Sequence, residues 1–150
     1  MNLKDSRGLP VSTESDAALE SYERAAQETH GYFGDPLASL DVALAEDPDF
    51  AMAHALRADL AVMSSEQGAL PLIRQGIEAV ERISNRATRR ERAHLAAARA
   101  WMEGDFRRSV EIYNAIGLAR LRDGQRRARC VVVAALAKGH NAAQPIHTPA

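Results

Sequence analysis

Cysteine is almost absent: Cys130 is the only one in 150 residues. A single thiol excludes an intramolecular disulfide framework and a cysteine-based zinc site. Long apolar runs are missing too. The longest, residues 130–137, spans eight residues, far below the roughly 20 that cross a bilayer, and Arg129 and Lys138 bracket it. Residues 1–10 lack the apolar core of a signal peptide, so the expected compartment is cytoplasmic. Aromatic residues make up only 5% of the chain, yet 46% is hydrophobic and 26% charged, a composition that folds. Six prolines and nine glycines are too few for a low-complexity or collagen-like chain. The formal net charge of −1 argues against a protein built as a whole around nucleic acid. The length suits one domain, or a piece of a larger one.

That even charge conceals two unlike segments. Residues 117–150 hold six Lys/Arg and one acid, Asp123, for a net +5; residues 1–116 keep 13 basic and 19 acidic residues, for a net −6. A composition break therefore falls near Gly117. Helical periodicity and punctuation precede it, and both fade after it.

Period-two alternation is short-lived throughout 1–116, whereas helical spacing recurs. Met52, Leu56, Leu60 and Met63 form one stripe, Ile73, Ile77, Val80 and Ile83 a second, and Phe106, Val110, Tyr113 and Ile116 a third. Alanine at many remaining positions favours helix and lets helices approach closely. The boundaries carry matching chemistry. Thr13 or Ser15 caps a first helix that runs to about residue 32. Gly34-Asp35-Pro36 reads as a stop, a cap and a pre-set first turn, opening a second helix over 36–46. Pro48 disfavours helical geometry at Asp47, and Asp49 is expected to cap a third helix over 50–65. Gly68 ends that unit, and a fourth helix covers 70–84. Thr88-Arg89-Arg90-Glu91 is a capping box that starts a fifth helix, to about residue 103. Gly104-Asp105 repeats the stop and cap ahead of a sixth helix ending at Ile116.

Gly34, Gly68 and Gly104 are 34 and 36 residues apart. A helix–turn–helix unit recurring near that period is the signature of tetratricopeptide repeats. The spacing predicts an all-α solenoid of about three helical hairpins. Residues 1–14 are an extended leader, 15–47, 49–84 and 88–116 are the repeats, and 117–150 is a poorly ordered or partly helical basic tail.

Three segments extend the likeness beyond the generic repeat. They are Asp5-Ser-Arg-Gly-Leu-Pro-Val-Ser-Thr13, the stretch from Gly34-Asp-Pro through Asp47-Pro-Asp-Phe-Ala-Met-Ala-His54, and Thr88-Arg-Arg-Glu-Arg-Ala-His94-Leu followed by Gly104-Asp-Phe106. In that order, over about residues 3–116, the chain resembles the tetratricopeptide repeat protein 38 family. The resemblance implies a helical-repeat solenoid and brings no catalytic residue, metal or cofactor with it. Family members continue with further hairpins after the position of Ile116. Here an arginine-rich stretch follows, so residues 117–150 are expected to be truncated or frame-shifted sequence.

First helices line the concave side of such a solenoid, so His54, Arg57, Arg92, His94 and Arg99 are the candidate groove contacts. Two histidines on similar faces raise metal binding. Against it, no acid-rich or His-rich cluster supplies further ligands, and histidines bonded to nearby backbone or acids are the plainer reading. The arginines suit carboxylate-bearing peptides; the plainer reading is i,i+4 surface pairing, as Glu78 with Arg82 allows. Glu91-Arg-Ala-His94 is not a zincin motif, and neither a phosphate loop nor a nucleophile elbow is present. Tyr32, Phe33, Trp101 and Phe106 flank two of the turns and read as wedges between helices. Arg89 and Arg90 open a helix, where the dipole disfavours cations.

The function expected is a non-catalytic scaffold for an unidentified protein or peptide, with self-association through an uncapped last repeat. Two rivals stand beside it: an enzyme-associated domain completed by further C-terminal repeats, and a nucleic-acid binder using the arginines of 120–129. The second lacks aromatics for base stacking.

Overall fold

The computed structural model describes residues 3–83 and 85–122, the last three by backbone alone. Among these residues the chain is all-α. Six helices follow in order: α1 (Asp16–Gly31), α2 (Pro36–Glu46), α3 (Ala51–Ser64), α4 (Leu70–Arg82), α5 (Arg89–Met102) and α6 (Phe106–Arg122). They associate as sequence neighbours: α1 packs chiefly on α2, α3 on α4 and α5 on α6. The hairpins are joined through α2 on α3, α4 on α5 and, most extensively, α3 on α5. Alanine makes that last contact close. Ala53, Ala55, Ala58, Ala97 and Ala98 are fully buried, and a methyl group lets backbones approach where a larger side chain holds them apart.

Local chemistry accounts for most helix ends. Ser15 caps α1 by accepting from the Ala18 N–H at 3.2 Å, and Asp35 caps α2 by accepting from the Ala38 N–H at 3.0 Å, with Pro36 in the first turn. At α5 the capping box is complete. The Glu91 N–H donates to Thr88 Oγ1 at 3.3 Å, and the Thr88 N–H donates to Glu91 Oε2 at 2.6 Å.

Four expectations are corrected. Asp49 does not cap α3. The N-cap residue is Phe50, without a side-chain bond, and the Ala51 N–H is met by Ser12 Oγ at 2.9 Å. Asp49 pairs instead with Arg86 at 3.2 Å. Gly68 is not the residue that ends α3. Ser65 takes the left-handed conformation there (φ 54°), and Gly68 lies in a 3₁₀ turn, Gln67–Ala69, at negative φ. Only Gly34 (φ 69°) and Gly104 (φ 83°) of the three turn glycines use the backbone freedom of glycine. Tyr32 and Phe33 do not wedge α1 against α2: they are 80% and 60% exposed. Trp101 and Phe106 do meet edge to face, with centroids 6.0 Å apart. Finally, α6 runs through Gly117 to Arg122, so the composition break near Gly117 is not a helix boundary. The rest of the predicted tail, 123–150, with Cys130, His140, His147 and the apolar run, lies outside the described residues.

The leader departs most from expectation. Residues 3–13 are not an extended lead-in but a closed loop built into the core. Lys4 and Pro10 form an isolated antiparallel bridge, with Gly8 at φ 77°. Asp5 Oδ1 accepts from the Arg7 and Leu9 N–H groups at 3.0 and 2.9 Å. Val11, Ser12 and Thr13 are buried. Val11 joins the same core as Tyr22 and Phe50, whose rings meet edge to face at 5.3 Å.

Candidate functional site

Two clusters of buried charged and polar side chains link different helices of the stack. The first is centred on Glu91, which is 0% exposed. While Oε2 completes the capping box, Oε1 accepts from the Ser12 N–H at 2.9 Å. Thr13 Oγ1 donates to Asp47 Oδ2 at 2.6 Å, and Arg90 Nη1 donates to Asp5 Oδ2 at 2.8 Å. With the Ala51 N–H to Ser12 Oγ bond, four bonds thus tie the leader to the α2–α3 connection and the starts of α3 and α5. They also account for Arg90 at the unfavourable end of a helix dipole: its partner is the buried carboxylate of Asp5. Burial in the apolar centre pushes the neighbouring Tyr22 hydroxyl up to about 12, against the opposing pull of Arg7 and Arg90.

The second cluster is Asp59 of α3 with His94 of α5 and Tyr113 of α6. Asp59 is 2% exposed, His94 9% and Tyr113 0%. Asp59 Oδ2 accepts from His94 Nδ1 at 2.7 Å, and Asp59 Oδ1 accepts from the Tyr113 hydroxyl at 2.6 Å. One carboxylate therefore bridges three helices, each of its oxygens satisfied. Sequence periodicity alone does not find it, because Asp59 stands between Ala58 and Leu60 and its partners lie 35 and 54 residues further along the chain.

An open groove of about 310 Å³ lies elsewhere, between α4, α5 and α6. Its floor is apolar: Ile77 and Val80 from α4, Leu95, Ala96 and Ala100 from α5, Ile112 from α6. Its rim is charged, with Arg92, Arg99 and Arg108 facing Glu81 and Glu103. Arg99 and Glu81 form an ion pair between α5 and α4.

The five candidate contacts divide accordingly. Arg92 and Arg99 line the groove. His94 shares their helix but is turned inward to Asp59, so the expectation that it faces a groove is corrected. His54 and Arg57 are apart from the groove lining. His54 Nε2 donates to the Pro48 carbonyl at 2.9 Å. Burial lowers its pKa below the usual 6.5, aided by the Arg57 and Arg82 charges, although the Pro48 bond opposes this. Arg57 pairs with Asp41 of α2 at 2.8 Å. The first helices therefore do not form the groove by themselves; second helices supply both walls. These arginine pairs are long-range rather than i,i+4: Arg57–Asp41 and Arg99–Glu81 join neighbouring helices, and Arg86–Asp49 joins the two connections that precede α5 and α3. Among the described residues, no three His, Cys, Asp or Glu side chains converge as a metal site, and no helix is long and apolar enough to cross a membrane.

Comparison with known proteins returns no matching family model, no matching curated protein and no matching solved structure.

Proposed function

We propose that this chain is a non-catalytic helical-repeat scaffold of tetratricopeptide type, related to the tetratricopeptide repeat protein 38 family, that holds a peptide or partner helix in the α4–α5–α6 groove. The observation that carries the reading is the groove itself, an apolar floor bounded by arginines. Its volume stands at the lower end of the roughly 300–1,000 Å³ of ligand pockets. Such a channel accommodates a few apolar side chains of a segment whose backbone lies across the rim. Arg108 has no ion-pair partner among the described residues. It is the natural anchor for a ligand carboxylate. Three neighbouring hairpins support the repeat reading, the second and third joined chiefly through their first helices, α3 and α5, and the first joined to the second through α2 on α3. The resemblance of leader and repeats quoted above is the other ground for it.

The test is selection of peptides on the immobilised full chain, followed by titration against an Ala96→Trp variant. Ala96 is exposed and lies on the groove floor, so an indole there fills the channel without touching the core. The reading expects peptides with spaced apolar residues and an acidic flank, and at least tenfold weaker binding to the variant at an unchanged melting temperature. Peptides that bind both proteins equally would remove the groove from consideration.

A further inference from the structure

The leader is attached to the helices in the way a bound peptide is. Five internal hydrogen bonds give residues 3–13 their shape, three along the backbone and two from the Arg7 and Leu9 N–H groups to Asp5 Oδ1. Among the described residues, no backbone-to-backbone bond joins this loop to a helix. Each polar tie has a side chain at one end or both. Ser6 donates to Glu23 of α1, Thr13 to Asp47, and the Ser12 N–H to Glu91, while Ser12 Oγ accepts from the Ala51 N–H and Asp5 from Arg90. Val11 is the apolar anchor, fully buried. The helices thus form a cradle of side chains around a loop that holds its own conformation.

The leader fills this cradle imperfectly at one point. Arg90 Nη1 donates to Asp5 Oδ2, but Arg90 Nε and Nη2 are buried without a hydrogen-bond partner. Those two donors make up one edge of the guanidinium, the fork that takes both oxygens of a carboxylate. Asp5 is not free to turn to it, because Oδ1 holds the Arg7 and Leu9 N–H groups and Oδ2 holds Nη1. The leader brings a second cation instead. Arg7 Nε lies 3.9 Å from the same Asp5 oxygen that Arg90 Nη1 approaches to 2.8 Å. Two guanidinium groups share one buried carboxylate, and the site is short of an acceptor where Arg7 stands. Buried donors left unmade weigh against the occupant that leaves them so.

We propose that the cradle is a peptide-recognition site, that the leader is its resident ligand, and that a partner's segment with a leader-like loop and a carboxylate in place of Arg7 takes the leader's place. Such a segment keeps the bonds to Glu91, Ala51 and Asp47 and adds the bidentate pair that Arg90 lacks. The exchange is a replacement, so the core position of Val11 is never left open. The covalent tether gives the leader an effective concentration on the order of millimolar, which a partner must exceed in affinity or local concentration. None of the cradle residues lines the α4–α5–α6 groove, so this proposal and the groove reading fail separately.

The test uses the full chain with a protease site inserted between Glu14 and Ser15 and cut after folding, which leaves every residue present but removes the tether. Glu14 is exposed. A labelled synthetic peptide of residues 1–14 exchanges saturably into the nicked protein, and its Arg7→Glu counterpart binds about tenfold tighter, the scale of a hydrogen bond to a charged group. In an Arg90→Lys nicked chain, where an ammonium still meets Asp5 but offers no fork, the two peptides bind alike. In the intact chain, millimolar Arg7→Glu peptide speeds amide hydrogen exchange within residues 3–13, and a scrambled peptide does not. A leader fragment that never exchanges overturns the proposal, as does a nicked chain that unfolds and is restored by neither peptide. So does an Arg7→Glu peptide that binds no tighter than the wild-type peptide, keeps its advantage on the Arg90→Lys chain, or leaves exchange in the intact chain unchanged.

Discussion

At the scale of single residues, the buried carboxylates decide stability. Replacing Asp59 by alanine strands the Tyr113 hydroxyl and His94 Nδ1 in the interior. Each stranded group costs about 1–3 kcal/mol, so urea unfolding of Asp59→Ala should show a loss of about 3 kcal/mol, with Tyr113→Phe losing less. His54 adds a pH dependence. Its folded-state pKa lies below the usual 6.5, so the unfolded chain binds the extra proton first as pH falls. The stability it contributes is complete above about 6.5 and is lost progressively below that value. Unfolding midpoints measured from pH 7.5 to 5 should therefore slope less in a His54→Gln variant than in the wild type.

At the scale of elements, the turn glycines separate two meanings of one residue type. Gly104 sits at φ 83°, whereas Gly68 has ordinary φ, and a Cβ on either would meet nothing within 4 Å. Gly104→Ala pays for a left-handed conformation and should lose about 1 kcal/mol. Gly68→Ala lowers only the entropy of the unfolded chain and should gain roughly 0.4–1 kcal/mol. Thermal melts of the two variants distinguish these signs directly. Gly76 is a third case, because an added Cβ would stand 3.1 Å from the His54 carbonyl oxygen. Absence of a side chain there lets α4 lie close on α3, a role that helical periodicity does not disclose. The three glycines at nearly even spacing mark three hairpins, although only two of them act at the turn by conformation.

At the scale of the whole molecule, the leader is a structural member. It contributes Val11 to the core and satisfies the Ala51 N–H, while Glu91 satisfies its own Ser12 N–H. Deleting residues 1–13 removes all of these with the Asp5–Arg90 and Thr13–Asp47 contacts. Native stabilities are only about 5–15 kcal/mol, so the deletion should leave helix content by circular dichroism but abolish a sharp urea transition. A Glu91→Ala variant, which loses both the cap and the leader bond, should fall between, at about 2–4 kcal/mol below wild type.

What was legible in the chain is what depends on near neighbours. The apolar stripes, the Ser15 and Asp35 caps, the Thr88–Glu91 box and the order of six helices each rest on contacts within about one helical turn, so local chemistry suffices to place them. Contacts between residues far apart in the chain are another matter. Ser12 reaches Ala51 and Glu91, Asp59 gathers His94 and Tyr113, and the groove takes its walls from α4 and α6 around α5. No spacing encodes these meetings, because they follow from which helix faces pack once hydrophobic burial has chosen the arrangement. The same packing turned His94 inward while leaving Arg92, two positions away on the same helix, at the rim.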